Sequence, residues 1–136
     1  LRTPNELFNE LKENHVFDPS MEKTFKKRLL RFGVEWSHIS DEIGIELPWV
    51  VLRTVLLVLL CHCRFDVLIL DEPSFGFGWN QRVKLRSFIR KCMNRMHFMI
   101  VSHDIEFIKS ICDQVLDLDK LETTQVKTSV REEKKP

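Results

Sequence analysis

Two short apolar runs, each ending abruptly in polar residues, constrain the fold of this chain more than any other feature. Residues 67–70 (Val-Leu-Ile-Leu) stop at Asp71, and residues 98–101 (Phe-Met-Ile-Val) stop at Ser102. The first run is typical of a strand that is buried on both faces, and the second is a further short apolar run. A third strand is predicted at residues 115–118.

The segments between these runs have helical periodicity. In residues 80–96, apolar side chains recur at intervals of three and four, which predicts an amphipathic helix with six cations on its other face. The pattern resumes at Ile105, Ile108 and Ile111. The order strand, helix, strand, helix, strand predicts an α/β fold with right-handed crossovers and a parallel sheet.

The N-terminal part is predicted to be helical. Thr3 and Glu6 form a capping-box pattern for a helix that reaches about Glu13, and a second helix should end near Gly33. Residues 50–60 predict a buried helix that is too short to cross a bilayer. The polar residues 122–136 are expected to fray.

Composition excludes several functional classes. The 21 Lys and Arg residues nearly balance 20 Asp and Glu residues, which argues against a whole-surface binder of nucleic acid or acidic lipid. With 43% hydrophobic residues, the chain should be globular.

Residues 61–63 (Cys-His-Cys) lack the second ligand pair of a zinc site. Because the chain opens at Leu1 rather than Met, we interpret it as a piece of a longer protein.

The polar residues after the first two strands are the candidate site. Ligands of open α/β sheets bind beyond the carboxyl ends of the strands, so the two strand ends should converge. A neighbouring pair of carboxylates suits nucleotide hydrolysis, in which Asp71 would hold Mg²⁺ through water and Glu72 would polarise the attacking water. The alternative is that an acidic pair simply begins a loop.

Three segments resemble motifs of the ATP-binding cassette ATPases. Residues 67–74 resemble the Walker B segment, residues 99–104 resemble the switch-histidine strand and loop, and residues 74–78 are placed like the D-loop. The resemblance implies a partial P-loop NTPase-like parallel sheet with flanking helices, preceded by a small helical subdomain. It assigns residues 1–46 to that subdomain, 47–121 to the C-terminal part of the catalytic core and 122–136 to a polar tail.

The resemblance also implies roles for particular residues. Glu72 and His103 would be catalytic, with His103 on the γ-phosphate, and Asp71 would hold Mg²⁺ through water. The residues assigned to nucleotide binding are Asp71, Ser74, Gly76 and Asp104. The implied cofactors are ATP and Mg²⁺, and the implied partners are a second ATPase subunit and a transmembrane transporter subunit. The complete protein would lie on the cytoplasmic side of the membrane, and nucleic acid would be an unlikely partner.

Two departures from the family pattern affect the predicted activity. The chain has no Gly-x-x-x-x-Gly-Lys-Ser/Thr loop, so this segment by itself should hold ATP poorly. The Leu-Ser-Gly-Gly-Gln signature should fall about two dozen residues before Asp71, where the chain has Leu47, Pro48 and Trp49. Pro48 has neither a hydroxyl group nor an N–H with which to bind a phosphate.

Three functions remain open from the sequence. The first is the C-terminal part of an ATPase subunit of a membrane transporter, inactive as this segment alone. The second is a catalytically silent half-cassette that binds a partner. The third is a cassette ATPase that acts on nucleic acid through the basic helix, a function that salt-sensitive DNA or RNA binding would favour.

Overall fold

The computed structural model describes residues 2–126 and divides them into two compact units. The first unit, here called the helical unit, contains the residues up to Leu68 together with Arg95–His97. The second unit, here called the site unit, contains Ile69–Asn94 and the described residues from Phe98 onward. Each unit is described separately below.

Four helices form most of the helical unit. They are α1 (Pro4–Glu13), α2 (Glu22–Arg31), α3 (Trp36–Ile39) and α4 (Trp49–Leu60). The predicted capping box of α1 is confirmed, because the Thr3 hydroxyl accepts the Glu6 N–H at 3.1 Å and the Glu6 carboxylate accepts the Thr3 N–H at 2.8 Å. Gly33, just beyond α2, has φ +82°, as predicted for a glycine that ends a helix.

An aromatic cluster forms the core of the helical unit. Phe25 is completely buried at its centre, and its ring centroid lies 5.4 Å from that of Phe8 and 5.2 Å from that of Trp36. Phe17 and His62 complete the cluster at 5.9 Å from Phe25. These rings come from α1, α2, α3 and the segments next to the helices, so their contacts fix the packing of α1, α2 and α3.

Strands β1 (Val67–Asp71) and β2 (His97–Val101) form a two-stranded sheet. At one end the His97 N–H donates to the Asp66 carbonyl at 2.8 Å, and at the other the Glu72 N–H donates to the Val101 carbonyl at 2.8 Å. The two strands therefore run in the same direction, and their predicted parallel pairing is confirmed.

The prediction that β1 is buried on both faces is wrong. Leu68 and Leu70 are buried, but Val67 and Ile69 are 53% and 65% exposed. Side chains alternate between the two faces of a strand, so one whole face of β1 is open. Within residues 2–126, no second layer of structure covers that face.

Helices α5 (Trp79–Cys92) and α6 (Ile105–Ile111) pack together in the site unit. The apolar face predicted for residues 80–96 is confirmed within α5, where Leu85 and Ile89 are completely buried. Phe107 and Ile111 are the buried residues of α6. The Arg90 guanidinium of α5 also donates to the Ser110 carbonyl of α6.

The third predicted strand exists but does not join the parallel sheet. β3 (Gln114–Asp117) pairs antiparallel with β4 (Glu122–Gln125), with Val115 opposite Thr124. A side-chain turn explains this, because the Asp117 carboxylate accepts the N–H groups of Asp119 and Lys120 and reverses the chain.

β4 also corrects the expectation that residues 122–136 fray, since its residues belong to a strand. Residues 127–136 lie outside the described part of the chain.

The predicted domain boundary at residues 46/47 stays a prediction, and α4 belongs to the same compact unit as α1 to α3. Among residues 2–126, no helix is both long enough and apolar enough to span a membrane.

Candidate functional site

The candidate site lies in the site unit, where the chain leaves β1 and β2. Glu72 follows β1 directly and has φ +45°, a left-handed conformation that costs a residue with a side chain about 1 kcal/mol. The Glu72 N–H donates a hydrogen bond to the Val101 carbonyl, and the Glu72 carbonyl accepts one from the Phe75 N–H at 3.1 Å. These two bonds hold the strained residue at the end of the sheet.

The loop after β2 binds the carboxylate of Glu72. The Ser102 hydroxyl donates to Glu72 Oε2 at 2.7 Å, and the His103 N–H donates to Glu72 Oε1 at 2.7 Å. The Ser102 hydrogen bond is the main cause that lowers the pKa of the Glu72 carboxyl; burial opposes it, and the His103 N–H lowers the pKa further. Glu72 is therefore an ionised carboxylate at neutral pH.

The His103 side chain is fully exposed to solvent. Its Nε2 lies 3.8 Å from Glu72 Oε1, a distance at which a protonated imidazole would form an ion pair with the carboxylate. The structure thus brings together the two residues predicted to be catalytic, and it leaves the imidazole open to a ligand.

Asp104 is the centre of a second set of contacts. Its Oδ1 accepts the Phe107 N–H at 3.0 Å and caps α6, while its Oδ2 accepts the Ser74 hydroxyl at 3.3 Å and an Arg82 N–H at 3.0 Å. Ser74 is 1% exposed. Both residues are predicted to bind nucleotide, and in this structure their side chains bind each other.

Asp71 and Gly76 are the remaining predicted site residues, and both lie close to Ser74 in the sequence. Asp71 is the last residue of β1 and is exposed. Gly76 lies in the turn that follows, with φ +80°, a conformation that glycine adopts without strain. The predicted residues therefore share one loop region, and the network joins Glu72, His103, Ser74 and Asp104.

Sequence reasoning missed the roles of Ser102 and Arg82. Ser102 lies within the switch-histidine motif, but nothing in its spacing shows that it donates to Glu72. Arg82 is one of the six cations that the sequence predicts on the polar face of residues 80–96. A cation in the first turns of α5 carries no sequence signal for a partner 22 positions further on.

The side chains at this strand end suit a magnesium site in which water and substrate supply most of the ligands. The described part of the chain has no group of three or more His, Cys, Asp or Glu side chains that could hold a metal ion. Mg²⁺ commonly takes one or two carboxylates and completes its shell with water and substrate phosphates. The exposed carboxylate of Asp71 at the strand end fits that donor set.

The segment at the predicted position of the family signature begins a helix. α4 begins at Trp49, and the Pro48 carbonyl accepts the N–H groups of Val51 and Leu52 at 2.8 and 3.0 Å. Trp49 is 62% exposed, with the Arg53 guanidinium 5.6 Å from its ring centroid. This helix start presents an indole where a phosphate-binding turn would present small residues.

Comparison with known proteins finds similar ATP-binding proteins, although no protein-family model matches the chain. The chain is 33% identical over 96 residues to the ATP-binding protein Uup of Buchnera aphidicola subsp. Schizaphis graminum, covering 70% of this chain and 15% of that protein. It is 32% identical over 89 residues to the zinc import ATP-binding protein ZnuC 1 of Hahella chejuensis, covering 64% and 35% respectively. The chain thus spans a minor part of both curated relatives.

A solved structure shows the same fold. A metal-chelate type ABC transporter in an inward-facing conformation matches 90% of this chain and 51% of its own chain, with a TM-score of 0.63 and 13% identity. The parallel strands and flanking helices define a domain of the α/β class. More particularly, the sequence matches show that the chain belongs to the ATP-binding cassette ATPases.

Proposed function

We propose that this chain supplies the hydrolytic half of an ATP site in an ATP-binding cassette ATPase. The phosphate-binding loop of that site would come from a part of the protein outside this sequence. The observation that carries the proposal is the pairing of Glu72 with the loop that contains His103, at the ends of adjacent parallel strands. A carboxylate and a histidine in this arrangement suit attack of water on a terminal phosphate.

Glu72 is the proposed base for the attacking water. It is ionised, and each of its oxygens accepts one hydrogen bond from the loop after β2. An ionised carboxylate accepts hydrogen bonds only, so it can accept one from a water molecule. His103, whose ring is exposed beside this carboxylate, would donate a hydrogen bond to the γ-phosphate.

Asp71 is the proposed metal-side residue. A Mg²⁺ ion that accompanies ATP would neutralise charge on the β- and γ-phosphates. The exposed carboxylate of Asp71, one residue before Glu72, would hold the water shell of that ion. Ser74, Gly76 and Asp104 would shape the adjoining loop around the nucleotide.

The proposed partners are a second ATPase subunit, which would close the site, and a transmembrane transporter subunit. The support for transport is the similarity to a protein named for zinc import and to the chain of an ABC transporter. A protein with these partners would lie at the cytoplasmic face of the membrane. The near-neutral charge of the chain makes nucleic acid the weaker alternative.

The test is ATP hydrolysis by the longer protein that carries this chain together with a phosphate-binding loop. Glu72→Gln should lower kcat by about 100-fold or more, because the amide cannot accept a proton from water. ATP binding, measured by calorimetry, should persist. Glu106→Gln, which removes an exposed carboxylate in the first turn of α6, is the matched control and should hydrolyse ATP normally. Unchanged turnover in Glu72→Gln would refute the assigned role.

A catalytically silent binding module is the second candidate, and the start of α4 favours it. Pro48 and Trp49 replace the small residues that would contact the nucleotide of the opposite subunit. If the wild-type longer protein bound ATP and its partner subunit but showed no turnover above Glu72→Gln, the silent module would be the correct function. Turnover that depends on Glu72 would exclude it.

A further inference from the structure

Arg82 connects three separate pieces of the site unit. Its Nε donates to the Phe77 carbonyl at 3.2 Å, in the turn after β1, and its Nη1 lies 3.0 Å from Asp104 Oδ2, at the start of α6. The residue itself is on α5. One guanidinium therefore joins the turn, the helix and the loop that carries His103.

The contacts of Asp104 lead directly to Glu72. The Asp104 N–H donates to the Ser102 hydroxyl at 3.1 Å, and that hydroxyl donates to Glu72 Oε2. The residue between them, His103, provides the second donor to the same carboxylate. A shift of Asp104 would therefore move both donors that orient Glu72.

The anchoring of Asp104 differs from the anchoring of α6 as a whole. Asp104 is one-fifth exposed and shares Oδ2 between Arg82 and the buried Ser74 hydroxyl. α6 is held mainly by the buried side chains of Phe107 and Ile111. Loss of the Arg82 contact should therefore loosen the loop at residues 102–104 while the helix remains folded.

We propose that Arg82 is a positioning residue, which acts through Asp104 to hold the Ser102 hydroxyl and the His103 N–H against the Glu72 carboxylate. The inference rests on the proposed catalytic role of Glu72, which it extends to a residue on α5. The influence of Arg82 would be on the orientation of the proposed base.

The test is amide hydrogen exchange, measured by NMR on the complete 136-residue chain without nucleotide. Arg82→Gln should speed exchange at the His103 and Asp104 amides about tenfold, the loss expected when a charge-assisted hydrogen bond disappears. The His103 amide proton should also move upfield as it leaves the carboxylate. The amide of Cys112, which donates to the Ile108 carbonyl at the far end of α6, should exchange as in the wild type.

Three further variants make the interpretation specific. Asp104→Asn keeps the cap of α6 but loses the ion pair, so it should match Arg82→Gln, and the double variant should be no faster than either. Arg82→Lys keeps the charge and should restore most of the protection. Lys84→Gln, at an exposed position on the same helix, is the control for loss of charge and should match the wild type.

Two results would overturn the proposal. One is wild-type exchange at His103 in Arg82→Gln, which would show that the ion pair does not hold the loop. The other is equal acceleration at His103 and Cys112, which would make Arg82 a residue of general stability. Neither result depends on ATP hydrolysis, so this proposal can fail while the assigned role of Glu72 stands, and the turnover assay of Glu72→Gln can fail independently.

Discussion

Lowering the pH should destabilise the helical unit through His62, which lies in its aromatic cluster. His62 is 3% exposed, and its Nδ1 lies 2.6 Å from the Val58 carbonyl. A carbonyl oxygen can only accept, so Nδ1 carries the proton of a neutral ring. Burial is the main cause that lowers the pKa of His62 from 6.5 to about 4, and the positive charges of Arg28 and Arg95 lower it further.

The sign of the effect follows from comparing the native and unfolded states. Unfolded His62 takes up a proton as the pH falls below about 6.5, whereas native His62 resists until the pH reaches about 4. The contribution of the neutral ring is therefore fully present above pH 6.5 and is lost as the pH falls towards 4. A difference of this size corresponds to about 3 kcal/mol in the free energy of unfolding, since each pKa unit is worth about 1.4 kcal/mol.

Two measurements check this prediction. The ring protons of His62, followed by NMR, should titrate with a midpoint near 4. In urea denaturation at pH 7 and pH 4.5, His62→Gln should lose about 2 kcal/mol less stability between the two pH values than the wild type. His38→Gln, at an exposed position, is the control and should show the wild-type difference. A native His62 that titrates between pH 6 and 7 would refute the reasoning.

Two stability predictions follow from the same unit. Phe25→Ala should cost about 4 kcal/mol of unfolding free energy in urea, because it leaves a cavity among four rings, whereas the exposed Phe75→Ala should change it by less than about 0.5 kcal/mol. A cost below about 1 kcal/mol for Phe25→Ala would mean that the cluster is not the core. Thr3→Ala should cost about 1 kcal/mol through loss of the α1 cap, and Thr3→Ser should retain most of it. Equal stabilities of these two variants would contradict the observed capping bond.

Local patterns allowed the correct prediction of most elements and of where the site begins. The Thr3–Glu6 capping box, the glycine after α2 and the periodicity of α5 each depend on residues within one or two turns of each other, so they can be read from spacing. The same holds for the polar residues that end β1 and β2. The prediction failed for β3, because its own four residues have the same pattern in a parallel strand as in one arm of a hairpin. Its pairing with β4 depends on the turn that begins at Asp117.

The amino-acid order by itself determined the candidate carboxylates, the candidate imidazole and the strand ends on which they lie. Only the tertiary structure decided how these groups are held: Glu72 receives its donors from a loop 30 positions away, and Arg82 holds that loop through Asp104. The exposed face of β1 was also a tertiary outcome, since burial depends on what packs above a strand. The physical reason is the same in each case, because hydrogen bonds and burial between distant segments arise when helices and strands pack, whereas caps and periodicity arise within one segment.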